Sequence, residues 1–255
     1  MARNFLPVAC ALIGVGCWPR SHPRDVGAWP TETPPGLVMI ETRPGHPGCT
    51  GTIFHNAPGA AHVVTAQHCV TDSSAEKRVS PIAVLRPEGR AEGPIWRRYP
   101  VTRVFTSRAP SDCATTEKGE VQWISDWAIL EIPTPTKLTV LPLLELEGSP
   151  MMGDRVSLES FFDVDFEVPR AHAHDFVWGR FSRELVQRGH SGAPVVWNGQ
   201  LVAVFSGATA YFSWFHLSRQ PDKLTLVPVE TIRREATMSG FSFDDTEANR
   251  SGRGP

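Results

Sequence analysis

Branched aliphatic residues cluster along this chain in short runs with turn-forming residues between them. The runs are GLVMIET (36–42), HVVTAQH (62–68), IAVLR (82–86), WAILEI (127–132), RVSLES (155–160), APVVW (193–197), LVAVFSG (201–207) and LTLVPV (224–229). Their short length, their Val, Ile and Leu content and the turn residues that bound them predict strands. Many such strands at fairly regular spacing predict an all-β barrel or sandwich. One segment follows a different period. In VETIRREATM, Val229 to Met238, the apolar residues fall at helical spacing, which predicts one short helix. No internal repeat is visible.

The two ends do not fit this pattern. MARNFLPVACALIGVGC has Arg3, an apolar stretch from Phe5 to about Gly16, and then Cys17. The stretch is too short to span a bilayer. It reads as an export signal over residues 1–17. A cysteine directly after the apolar stretch resembles a bacterial lipoprotein box, which makes Cys17 the lipidation candidate. Gly14 stands where such a box usually has a branched aliphatic residue, so a plain signal peptide stays open beside it. Residues 18–35 are rich in Pro and polar residues, like a tether. Residues 239–255 are polar and are expected to be a disordered tail.

Composition narrows the function classes. The chain has 255 residues, enough for a sizeable core, and 41% of them are hydrophobic. A net charge of −2 offers no basic field for a nucleic acid. His172 and His174 in RAHAHDF would share one side of a strand, but a zinc site wants three or four ligands. No metal and no cofactor is expected.

The chemistry concentrates around QRGHSGAP, Gln187 to Pro194. Small residues on both sides of Ser191 let the backbone turn sharply and present the hydroxyl. A serine hydroxyl is a weak nucleophile at neutral pH, and needs a base within hydrogen-bond reach and a third group to orient that base. His68 follows an apolar run and a Thr-Ala-Gln turn, with Cys69 beside it. Upstream, GCTGTIF is another apolar strand, opened by Cys49. The two cysteines are either stapled as a Cys49–Cys69 disulfide, which would fix where the histidine points, or are two buried thiols. Asp126 in ISDWAILEI precedes a hydrophobic strand, and a lone charge there is costly to bury without a partner.

Together TAQHC, DWAIL and GHSGAP stand in the order His, Asp, Ser, with spacings of 58 and 65 residues. This resembles the chymotrypsin-like (trypsin-fold) serine peptidases, whose motifs are close to T-A-A-H-C, D-[IL]-A-[IL]-L and G-D-S-G-G-P. The resemblance covers roughly Gly36 to Met238. It implies two six-stranded antiparallel Greek-key β-barrels, over 36–133 and 134–238, with the C-terminal helix after the second. It also implies a catalytic triad of His68, Asp126 and Ser191, and an oxyanion hole from the backbone N–H groups of Gly189 and Ser191. Ser206 and Gly207 then lie on the strand that pairs with substrate backbone. Leu185 and Val186 form the base of the specificity pocket, and Ala208 narrows its entrance. The implied partner is a protein or peptide substrate, cut by a monomer.

Departures from the family pattern carry information too. His190 stands where the family usually has an aspartate, which in zymogen-activated members pairs with a newly cut N-terminus. No Ile-Val-Gly-Gly-like start occurs near residue 36 either. The resemblance is therefore to bacterial and viral branches of the family, in an exported protein that is periplasmic, lipid-anchored at the cell surface or secreted. Cys113 either pairs with Cys17 or stays free. Two other classes fit the sequence less well. An α/β-hydrolase esterase needs an acid and then a histidine after the serine. Here the only later histidine is His216, and Asp222, Asp244 and Asp245 all follow it. A non-catalytic trypsin-fold binding protein usually lacks a triad residue, and all three are present here.

Overall fold

The computed structural model describes residues 35–43, 46–71, 83–88, 95–107, 113–115, 121–123, 125–143, 149–162, 170–178, 189–211 and 220–243. Within them the chain runs through β1 (Leu37–Arg43), β2 (His46–Ala57), β3 (Ala60–Thr65), β4 (Ala83–Glu88), β5 (Ile95–Pro100) and β6 (Arg103–Thr106). It continues through β7 (Cys113–Thr115), β8 (Val121–Trp123), β9 (Ala128–Pro133), β10 (Arg155–Phe162) and β11 (Arg170–Val177). The last strands are β12 (Pro194–Trp197), β13 (Gln200–Tyr211) and β14 (Gln220–Pro228), followed by the helix α1 (Val229–Met238). The eight aliphatic runs all fall on strands, and the helical run is α1. The strands divide seven and five between two curled antiparallel sheets, where the resemblance implied six and six. The sheet orders are β5-β4-β1-β2-β3-β9-β6 and β11-β10-β12-β13-β14, with β7 and β8 forming a separate ribbon.

Each sheet curls around its own apolar side chains. Val38, Ile40, Ile53, Val63, Val84, Leu130 and Ile132 fill the first. Val156, Leu158, Val195, Val202 and Phe205 fill the second. A third cluster lies where sheets and helix meet: Phe54, Val64, Trp127, Ile129, Leu201, Val204 and Ile232. The segment after β9 is pinned across this junction. Leu141 donates its backbone N–H to Ile53 of the first sheet at 2.9 Å, and Pro142 accepts from Leu201 of the second at 2.8 Å. Between β12 and β13 the chain reverses at Asn198 and Gly199. Both have positive φ, 50° and 74°, as the tight two-residue hairpin turn demands.

The polar tail begins later than Ser239. Phe241 is buried against Phe54, Phe105 and His62, so Ser239 to Phe243 belong to the packed body. Residues 244–255, like 1–34 with Cys17, lie outside the described residues.

Candidate active site

Strand pairing brings His68 and Asp126 together. β3 and β9 are neighbours with Thr65 opposite Ala128. His68 lies just beyond Thr65, in the 3-10 turn Gln67–Cys69, and Asp126 lies just before Ala128. In an antiparallel pair those two extensions leave the same end of the ladder. The contact is close and double. Asp126 Oδ1 accepts the His68 backbone N–H at 2.9 Å, and Oδ2 accepts from His68 Nδ1 at 2.7 Å. An ionised carboxylate only accepts, so Nδ1 carries the ring proton and Nε2 is left as the basic nitrogen.

The second sheet supplies a third bond. Ser206 Oγ donates to Asp126 Oδ2 at 2.6 Å. Ser206 sits in a β-bulge, because the pairing of β13 with β14 shifts register between Phe205 and Gly207. The extra residue bends the strand and re-aims its side chain. Asp126 is fully buried. Burial alone pushes its carboxyl up. The hydrogen bonds from His68 and Ser206, with the electrostatic attraction of the His68 ring, outweigh that and hold it below the usual carboxylate range. The His68 side chain stays 29% exposed.

Cys49 and Cys69 form the disulfide. With His68 they make a compact group, their donor atoms within 4.8 Å of one another. The two sulfurs are bonded to each other, so the group is a staple beside a histidine and offers no thiolates to an ion. Such a bond suits an oxidising, extracytoplasmic compartment.

Ser191 lies in a turn anchored to this staple. Thr50, the neighbour of Cys49, donates its N–H to the Ser191 carbonyl at 2.9 Å. Its hydroxyl donates to the Gly189 carbonyl at 2.7 Å. Thr65 in turn donates to the Thr50 carbonyl. On the other side, Gly192 N–H bonds the Phe205 carbonyl at 2.7 Å. Gly189 and Gly192 have φ of +92° and +81°, a region that side chains resist. A Cβ on Gly192 would also collide with the Thr65 hydroxyl and the Thr50 carbonyl. The turn therefore lies flush against the strands that carry the staple. His190 is fully buried, its ring edge-on to Phe205.

This is the trypsin fold. Human heparin binding protein matches with a TM-score of 0.54 at 17% identity, over 91% of this chain and 100% of that one. A double mutant of that protein matches at 0.52 and 18% over the same shares. An atomic-resolution structure of it matches at 0.54 and 15%, again over 91% and 100%. No protein-family model and no curated protein matches the sequence.

The structure thus gathers His68, Asp126 and the Ser191 turn, with Gly189 beside it, at the junction of the sheets. A Cβ built on Gly207 meets no atom of the described residues within 4 Å. Leu185 and Val186 lie outside the described residues, as do the side chains of Ala208, His172, His174 and Cys113. The sequence reading placed Ser206 on a substrate-pairing strand and missed that its hydroxyl holds Asp126. It also missed Thr50, whose signal was a threonine directly after Cys49.

Proposed function

We propose that the chain is an exported serine endopeptidase. The observation that carries the reading is the carboxylate of Asp126. It is bonded at once to His68 Nδ1 and Ser206 Oγ, beside a glycine-flanked serine turn fastened to the strand of Cys49. On this reading His68 Nε2 takes the proton of Ser191 Oγ as that oxygen attacks the scissile carbonyl. The N–H groups of Gly189 and Ser191 stabilise the oxyanion. The tetrahedral species collapses to an acyl-enzyme as His68 hands the proton to the leaving amine. Water, deprotonated by the same nitrogen, then releases the acid and restores Ser191. Asp126 keeps the imidazole in the working tautomer throughout and stabilises its charged form. The mechanism calls on no cofactor.

Substrate adds along β13 near Ser206 and Gly207 as an extra strand. By the resemblance, Leu185 and Val186 stand at the positions that set the base of the specificity pocket and Ala208 at the position of its entrance, and all three are apolar. Cleavage is therefore expected after Leu, Met, Val or Ala in preference to Arg, Lys or Glu. The His190 substitution supports kinship with bacterial-type members. Residues 1–17 support export, as does the disulfide, with Cys17 lipidated or the signal simply cleaved.

A fluorophosphonate probe tests the reading. It should label the wild-type protein at Ser191 and leave Ser191→Ala unlabelled, and a peptide-library digest by the labelled form should fail. A wild-type protein that takes no label and cuts no peptide in the library would leave the fold as a binding module.

A further inference from the structure

Asp126 is held from a third direction by the C-terminal helix. Glu235 of α1 accepts the Ser125 hydroxyl on Oε1 at 2.8 Å and the Trp127 indole N–H on Oε2 at 2.7 Å. Those two residues flank Asp126 in the chain. Between them the backbone closes a three-residue turn, the Trp127 N–H reaching the Ser125 carbonyl at 3.0 Å. Ser125 has a φ of +59°, in the left-handed region that non-glycine residues enter only when their surroundings compel it. Trp127 is fully buried. One carboxylate therefore grips both legs of a strained turn whose apex is Asp126.

We propose that Glu235 is a positioning residue for the His68–Asp126 pair, a clamp that fixes the direction in which the Asp126 carboxylate points. The proposal rests on the peptidase reading for its kinetic consequences, but not for its geometry. The Asp126 bonds to His68 N–H and Nδ1 both run from one side chain at the apex of the turn. Relaxing Ser125 out of its left-handed conformation swings that side chain. Displacements of about 1 Å in a catalytic group cost up to roughly a hundredfold in rate. Gln at 235 can still accept one of the two bonds, but its NH₂ faces the second donor and cannot accept from it.

The test compares the wild-type chain with Glu235→Gln, Ser125→Ala and, as a control on the same helix, Glu230→Gln. Among the described residues, Glu230 accepts from exposed Ser149 alone. Two readouts are needed. The first is the low-field proton resonance of the His68 Nδ1–H to Asp126 bond, which exists whether or not the protein cuts peptides. The second is the kcat against KM split on the best library peptide. Glu235→Gln should shift or broaden the resonance and lower kcat by about 10- to 100-fold with KM little changed. Ser125→Ala should do the same to a smaller degree, and Glu230→Gln should do neither. If Glu235→Gln fails to fold, Ser125→Ala decides, since it opens no core cavity. An unchanged resonance and unchanged kcat in a folded variant overturn the clamp. A wild-type protein that shows the resonance but cleaves nothing overturns the peptidase reading instead. The resonance then decides the clamp alone.

Discussion

At the residue scale the site depends on a few side chains whose roles separate by experiment. Ser191→Ala and His68→Ala should each lose nearly all turnover, on the order of 10⁶-fold, with the double variant little worse, because the residues act as a unit. Steady-state kinetics with an active-site titrant checks this, and a tenth of wild-type turnover surviving in Ser191→Ala would exclude the mechanism. Glu159 on β10 gives a different test. Its Oε2 is buried without a hydrogen-bond partner among the described residues. Burial pushes its carboxyl up to about 7, and the Ser157 hydroxyl only partly offsets that. The native protein therefore keeps a proton that the unfolded chain has already lost between about pH 4.5 and about pH 7. Stability falls as pH rises through that window. Glu159→Gln should raise stability at pH 8 by about 1–2 kcal/mol, allowing for partial exposure. That is roughly 2–8 °C in Tm, and at pH 4 the variant should match the wild type. Thermal denaturation at the two pH values decides it. The triad candidates were legible because their residue types, neighbours and order are local features of the chain. The aim of Ser206 was not, because it depends on a bulge that only the pairing of β13 with β14 creates.

At the scale of elements, the staple and the turns set the geometry. The Cys49–Cys69 bond joins β2 to the turn of His68. Replacing both cysteines by Ala should cost about 2–4 kcal/mol and lower turnover more than it raises KM, since the histidine loses its tether. Denaturant titration and kinetics on the double variant measure both effects. Free thiols at both positions in protein taken from the medium or periplasm would remove the premise. The strands that the sequence revealed were those with aliphatic runs. β5 escaped because it is an edge strand: IWRRYP buries Tyr99 while Arg97 and Arg98 stay exposed. β6, with Arg103, Val104, Phe105 and Thr106, is the other edge and equally mixed. Edge strands carry charge to discourage further pairing, and that charge hides their period. The end of the packed body was misplaced for the opposite reason. Phe241 and Phe243 are two isolated apolar residues in a polar stretch, and only their packing against Phe54, with Phe105 against Phe241, gives them a place.

At the scale of the whole molecule, the proposed enzyme needs no new N-terminus. His190 is uncharged or cationic where a pairing carboxylate would be required, and it is buried with its ring edge-on to Phe205 of β13. Chains beginning at Ser21, Trp29 and Thr33 should therefore have similar specific activity, and activity tied to a single starting residue would contradict this. Asp126 has a further consequence. Its carboxylate is built on one sheet and takes a hydrogen bond from Ser206 on the other, while the Ser191 turn takes two from Thr50 on the first. Neither half holds a working set of groups. A chain emerging from the ribosome presents the base and its acid long before the nucleophile exists, and the nucleophile arrives without a hold until both sheets have closed. On the proposed mechanism, hydrolytic power is switched on by the last step of assembly. An unfinished copy of the protein is then harmless to the cell that makes it.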